Sequence, residues 1–161
     1  MQDITPIFEK IKEILIKEGV DYRLFNHPPV FTSEEAATVR QTPIEFGAKA
    51  ILLYADKKPI LIVVPGNRRI DTKLLKKQYD FKDVRIMTKE EIFALTGLEI
   101  GAIPPMGNVL GIPTYLDGIL AQGKEMVFNV GSHTHSVKMA TGDFIKIASP
   151  VIADISCQPN V

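Results

Sequence analysis

Residues 97–117 constrain this chain more than any other stretch. Four of its 11 glycines and three of its 11 prolines fall there, between a helical pattern that Gly97 ends and a strand pattern that begins near Thr114. A connection of that length without secondary structure is uncommon in a compact domain, and is usually either functional or disordered. Ile100, Ile103, Met106, Val109, Leu110 and Ile112 run through it, and a disordered segment lacks such side chains to bury. The pattern therefore predicts an ordered, glycine-rich pocket wall. Gly101 to Pro105 has the form Gly-x-x-x-Pro. Glycine lets a ligand approach the main chain, and the N–H groups that follow, at Ala102 and Ile103, can point into the space it leaves. Pro104 and Pro105 donate nothing but stiffen the loop. A rigid turn packed on the core would read the same way.

The rest of the composition narrows the class. At 161 residues and 45% apolar content, the chain predicts one domain over 1–161 with a real core. Nineteen basic and 19 acidic residues cancel, which argues against a coat for duplex nucleic acid but leaves room for a local basic face. The single cysteine, Cys157, excludes an internal disulfide and suits a reducing cytoplasm. The first residues lack a basic segment followed by an apolar one, and no apolar run approaches the roughly 18 residues of a membrane span. A cytoplasmic protein without a membrane segment is the expectation, as monomer or homodimer.

Taken in order, Thr5 and Pro6 open a helix whose apolar residues recur at helical spacing until Glu18-Gly19. Val20 to Phe25 alternates as a strand, broken by His27-Pro28-Pro29, and Thr32-x-x-Glu35 is a capping box for a helix over about Ser33 to Arg40. The positive end of that helix could hold an anion, or simply be capped by its own carboxylates. Ala50 to Ala55 and Ile60 to Val64, joined at Asp56 to Pro59, read as a central hairpin. Lys49, at its entrance, is either a solvated strand end or a cation aimed at a phosphate.

Asp71 to Tyr79 is a lysine-rich helix, Val84 to Met87 a strand, and Thr88-x-x-Glu91 a second capping box. Between Lys57 and Lys82, eight basic residues (Lys57, Lys58, Arg68, Arg69, Lys73, Lys76, Lys77, Lys82) face two acidic ones, Asp71 and Asp80. Such a run is a phosphate-tracking face or a solvated helix surface. Beyond the loop come strands over Thr114–Leu116, Glu125–Val130 and Thr134–Met139, a helix over 142–148 capped by Thr141, and a closing strand over Val151–Ile155. The fold class is α+β with a mixed, mostly antiparallel sheet.

Few residues could carry covalent chemistry. His133 and His135 are two apart, as a metal pair could be, but a catalytic zinc needs a third ligand, and neither His27 nor Asp117 has the spacing of one. Cys157 has no histidine nearby in sequence. Ser132, His135 and Asp117 lack a nucleophile-elbow sequence. What remains is a backbone-lined glycine loop, one lysine and the small polar turn Gly131-Ser132-His133-Thr134-His135. Such a site suits hydrolysis of an already activated ester, in which backbone donors stabilise the oxyanion.

Ala48-Lys49-Ala50 opening a strand, Gly101-x-x-x-Pro105 followed by Ile112-Pro113 to Asp117, and Gly131 to His135 before the last strand together resemble the YbaK and prolyl-tRNA-synthetase-associated editing domains, from about Tyr22 to Ile147. The resemblance implies a barrel-like mixed sheet flanked by helices. It also implies hydrolysis of the ester joining a wrong, small amino acid to the terminal adenosine of tRNA, without metal or cofactor and with a ribose hydroxyl assisting the water. Lys49 would hold the terminal phosphate and Gly101, with the N–H groups after it, the acyl carbonyl. His135, more than His133, would line the pocket, with His27, Thr32, Ala102, Ile103, Pro105, Asp117, Gly131 and Ser132 around it. The position before Pro105, often serine in the family, is Pro104 here, which removes a donor. The implied partners are the tRNA acceptor end and an aminoacyl-tRNA synthetase, with action in trans. A non-catalytic module binding the tRNA end is the alternative.

Overall fold

The computed structural model describes residues 5–159; residues 1–4, on which the absence of a leader partly rested, lie outside them. Its centre is the hairpin of β2 (Ala48–Ala55) and β3 (Lys58–Pro65). Asp56 and Lys57, both at positive φ (48° and 69°), make the two-residue turn that matches strand twist. Alternation then divides the hairpin between two cores. Leu52, Leu61 and Val63 face one, with Phe8, Ile11 and Leu15 of α1 (Pro6–Lys17) and Phe144 of α6 (Thr141–Ala148). Leu53, Ile60, Ile62 and Val64 face the other, with Leu75 of α3 (Thr72–Tyr79) and Ile155. Burial on both faces is why these strands are unbroken apolar runs.

β6 (Thr114–Asp117) runs parallel to β3, β9 (Val151–Ala153) parallel to β6, and β5 (Val84–Ile86) antiparallel to β2, giving a five-stranded mixed sheet ordered β5-β2-β3-β6-β9. A second, antiparallel sheet has the order β1-β8-β7, with β1 at Tyr22–Asn26, β7 at Glu125–Asn129 and β8 at His135–Ala140. β4 (Arg69–Ile70) and β10 (Ser156–Cys157), too short to leave a sequence pattern, pair with each other. One parallel bridge, Gly47 to Val127, links the two larger sheets. The fold is thus the expected α+β with a mixed sheet, but the sheets do not close into a barrel. Among the described residues no helix is long and apolar enough to cross a membrane.

Local signals placed most helix ends. Thr32 caps α2 (Ser33–Arg40) through the expected box, and Thr88 does the same for α4 (Lys89–Thr96), which Gly97 ends at φ 73°. Two details differ. A one-turn helix, α5 (Gly118–Ala121), follows β6, with Asp117 as its N-cap. At α6 the N-cap is Ala140, not Thr141: Thr141 is already helical, and its hydroxyl has no hydrogen-bond partner among the described residues. The loop after Gly97 is ordered, because Ile103, Met106, Val109 and Ile112 sink into the α1-side core and Gly107–Val109 forms a 3-10 turn.

Candidate active site

β5 pairs only with Leu53, Tyr54 and Ala55 of β2, and its last contact is the Met87 N–H donated to the Leu52 carbonyl. Residues 48–51 of β2 therefore have a free edge, and a cavity of about 400 Å³ opens beside it. Its walls are Ala48 to Ile51, the first turns of α2, the segment Ile100-Gly101 with Ile103, and Asn129 from the end of β7. Gly66, also on the wall, is required by close approach, since a Cβ there would lie 2.7 Å from the Ile44 carbonyl oxygen.

The α2 end is capped from within. The Glu35 carboxylate accepts from the Phe31 and Thr32 N–H groups, and the Thr32 hydroxyl accepts from Glu35 N–H. The Ser33 and Glu34 N–H groups remain as the unspent donors of the first turn. Lys49 reaches the same wall, where its Nζ donates to the Arg68 carbonyl at 2.7 Å. Burial lowers its pKa below that of an ordinary lysine, against the opposing pull of the Glu34 carboxylate. An ammonium has three donors, so the bond to Arg68 leaves two.

The glycine loop is held by its carbonyls. Asn129 Nδ2 donates to the Gly101 carbonyl at 2.6 Å, and His133 Nε2 donates to the Ile100 carbonyl at 3.0 Å. Gly101 sits at φ 87°, a conformation that suits glycine, and a Cβ there would meet the His133 ring at 3.4 Å. With those carbonyls anchored, the Gly101 and Ile103 N–H groups have no acceptor among the described residues, whereas Ala102 N–H closes a turn onto the Glu99 carbonyl. The Ala102 N–H that the sequence suggested as a donor is therefore already spent, while those on either side of it are free of acceptors among the described residues.

Behind Asn129 lies a polar relay that no sequence motif announces. Asn129 Oδ1 accepts from Arg40 Nη2 at 2.8 Å, and Arg40 Nε donates to the Ser136 hydroxyl at 2.9 Å. Ser136 also meets His27 Nε2 at 2.7 Å, while His27 Nδ1, facing the Pro28 carbonyl at 2.9 Å, carries the proton. Burial pushes Arg40 down to about 10. Burial also lowers the His27 pKa, the Pro28 carbonyl pulls the other way, and the Arg40 charge adds to the lowering.

The structure thus brings Lys49, Thr32, Gly101 and Ile103 to the cavity and places the other expected residues elsewhere. His135, 6% exposed, packs edge-on against Phe8 of α1 with Nδ1 beside the Thr134 and Ser132 hydroxyls; His133 is the histidine that touches the glycine loop, stacked on Phe31 at 4.7 Å. Asp117 is buried, with one carboxylate oxygen capping α5 and the other accepting from Ile155 N–H. Its carboxylate is thus engaged by two backbone donors, and it is not among the residues that line the cavity. Gly131 accepts from the Thr5 hydroxyl at the start of α1, and Ser132 is fully buried in its own turn. Pro105 is buried in the loop, and His27 acts only through Ser136. Among the described residues no three His, Cys, Asp or Glu side chains group as a metal site would.

Fold and cavity define an α+β domain with a cleft at an unpaired strand edge, walled in part by a glycine loop. The chain belongs to the aminoacyl-tRNA editing domain family, whose model matches residues 27–147. It is therefore an enzyme of the aminoacyl-tRNA deacylase class. It is 26% identical over 151 residues to the multifunctional Ser/Thr-tRNA deacylase ProXp-y of Escherichia coli K12, covering 91% of this chain and 90% of that one. It is 35% identical over 101 residues to the proline–tRNA ligase of Solidesulfovibrio magneticus, covering 62% of this chain but 17% of the ligase. The solved structure of a candidate trans-editing enzyme for prolyl tRNA synthetase superposes with a TM-score of 0.82 at 23% identity, covering 98% and 99% of the two chains, and shares the fold.

Proposed function

We propose that the protein hydrolyses the ester of a tRNA mischarged with a small amino acid, acting on it in trans. One observation carries the reading: Gly101 and Ile103, whose N–H groups have no acceptor among the described residues, line the same cavity as Lys49. Lys49 and the first-turn donors of α2 hold the phosphate of the terminal adenosine. The acyl carbonyl oxygen lies against the Gly101 and Ile103 donors, which strengthen their hold as charge develops on it. Water, oriented by the vicinal hydroxyl of the terminal ribose, attacks the carbonyl carbon and gives its proton to that hydroxyl, which passes its own proton on to the departing ribose oxygen. The bond from that carbon to the ribose oxygen breaks, the ribose oxygen takes up the proton, and free amino acid and uncharged tRNA leave. Arg40, Asn129 and His133 do not touch the reacting atoms; they hold the loop that does.

Selectivity follows from the lining. Ala36, Ala37, Ala48 and Ala50, closed by Ile44 and Ile103, admit a short side chain and exclude a long aliphatic or aromatic one. The Ser/Thr deacylase named above fits a substrate of that size. The test is release of amino acid from a panel of mischarged tRNAs. Alanine, serine, threonine or cysteine is expected to leave faster than leucine or phenylalanine, and Lys49→Ala to lower kcat/KM by about 10²-fold, the scale of losing one charged hydrogen bond to the phosphate. No release above buffer from any tRNA, or an unchanged Lys49→Ala, overturns the reading.

A further inference from the structure

The chain is neutral overall, yet carries a surplus of basic residues between positions 57 and 82. Lys49 meets the Arg68 carbonyl at the cavity, and the chain runs from Arg68 through β4 directly into α3. Leu75 and Tyr79 turn one side of α3 into the core. At about 100° per residue, Lys73, Lys76 and Lys77 then fall within a stripe roughly 100° wide, with Lys73 and Lys77 exposed and Lys76 half-buried at the border of the core-facing side. Past α3, Lys82 N–H donates to the Asp56 carboxylate at 3.0 Å, which sets Lys82 beside Lys57 and Lys58 at the hairpin turn. The basic groups therefore run from the cavity mouth to the hairpin tip. That is the length of β3, eight residues, or about 26 Å at 3.3 Å per residue.

These charges are not neutralised where they stand. Among the described residues the ion pairs are Arg85 with Glu91, His133 with Glu99 and Lys138 with Glu125, and none involves this strip. The Arg68 guanidinium is held by Ser156 and that of Arg69 by Cys157, both neutral partners. Of the carboxylates nearby in sequence, Asp71 caps α3 at Leu74 and Asp56 accepts from Lys82 and Asp83; Asp80 and Asp83 lie at the far end of the run and form no ion pair with it among the described residues, so the basic groups stay in excess. A row of free ammonium groups leading out of a cleft made for the end of a polynucleotide fits a phosphate backbone.

We propose that the α3 lysines and the β2–β3 turn form the docking surface for the acceptor stem of tRNA, following its phosphates while the 3′ end enters the cavity. The proposal rests on the deacylase reading and names the surface that reading leaves unspecified. The strip fixes where the stem lies and, by contacting phosphates alone, adds affinity without reading sequence.

The test compares two substrates of one acyl group, a full mischarged tRNA and the 3′-aminoacyl adenosine alone, on wild type and on the triple variant Lys73→Glu, Lys76→Glu, Lys77→Glu. The variant is expected to raise KM for the full tRNA by roughly tenfold or more at physiological salt and to flatten the slope of log(kcat/KM) against log salt by about 2–3. Hydrolysis of the aminoacyl adenosine and the melting temperature stay unchanged. The milder Lys→Gln triple variant gives the same change in slope should the charge reversal disturb folding. An unchanged KM and salt slope on full tRNA overturns the proposal, as does an equal loss on both substrates. Anisotropy of labelled, uncharged tRNA separates this failure from failure of the function: tRNA that binds wild type and not the variant, without any deacylation, supports the surface and refutes the activity.

Discussion

The two halves of β2 have the same backbone and different neighbours. From Leu53 to Ala55 the strand is paired on both edges, with Leu53 and Ala55 buried and Tyr54 half-buried; from Ala48 to Ile51 it is paired on one edge only, and all four residues are half-buried. The first half holds the hairpin in the sheet, while the second lends its free edge and small side chains to a cavity. The site thus arises where a neighbouring strand stops early, with α2 and the glycine loop filling part of the gap and leaving the rest.

The comparison breaks if the two halves respond alike to substitution. Leu53→Ala, in the covered half, empties a fully buried position and is expected to lower unfolding free energy by about 2–5 kcal/mol. Urea denaturation measures this, and turnover per folded molecule should be unchanged. Lys49→Ala, in the open half, is expected to do the reverse. Its stability change, about 1 kcal/mol or less for losing the bond to Arg68, accompanies the roughly hundredfold kinetic loss in single-turnover deacylation. Asn129→Ala frees the Gly101 carbonyl and leaves Arg40 short of a partner. Its expected effect is a loss of about tenfold in kcat with KM nearly constant, because it displaces transition-state donors without touching the phosphate grip.

The smallest effect is on pH dependence. The folded-state pKa of His27 lies below 6.5, so on acidification the unfolded chain takes up the proton first. Stability is therefore level above pH 6.5 and is lost as pH falls from there through the folded pKa. Replacing His27 by Gln should flatten that part of an acid-titration curve followed by thermal melting.

Features written in neighbouring residues were legible in the sequence. The Thr32 and Thr88 capping boxes, the hairpin turn at Asp56 and Lys57, and the apolar residues that order the loop after Gly97 each carry their signal within a few positions. Much of the site was legible only where a strand or loop carried it whole, as with Lys49 and Gly101. The relay from His27 through Ser136 and Arg40 to Asn129 joins residues up to 109 positions apart, and no local pattern encodes such a meeting. The histidine pair shows the same limit. Spacing two apart puts His133 and His135 in one turn, but only the packing of α1 and Phe31 decides that His135 goes to Phe8 and His133 to the glycine loop. Asp117 shows the limit from another side: nothing in the sequence announced the one-turn helix that it caps.

The central claim, that main-chain donors at Gly101 and Ile103 receive the acyl oxygen, is open to direct observation. Amide proton and nitrogen resonances of the labelled protein can be followed by NMR as a hydrolysis-resistant, amide-linked 3′-alanyl adenosine is added. The account predicts saturable shifts largest at Gly101 and Ile103, with Ala102, already bonded to Glu99, moving less. Saturable binding that shifts other cavity residues and leaves Gly101 and Ile103 in place would contradict it.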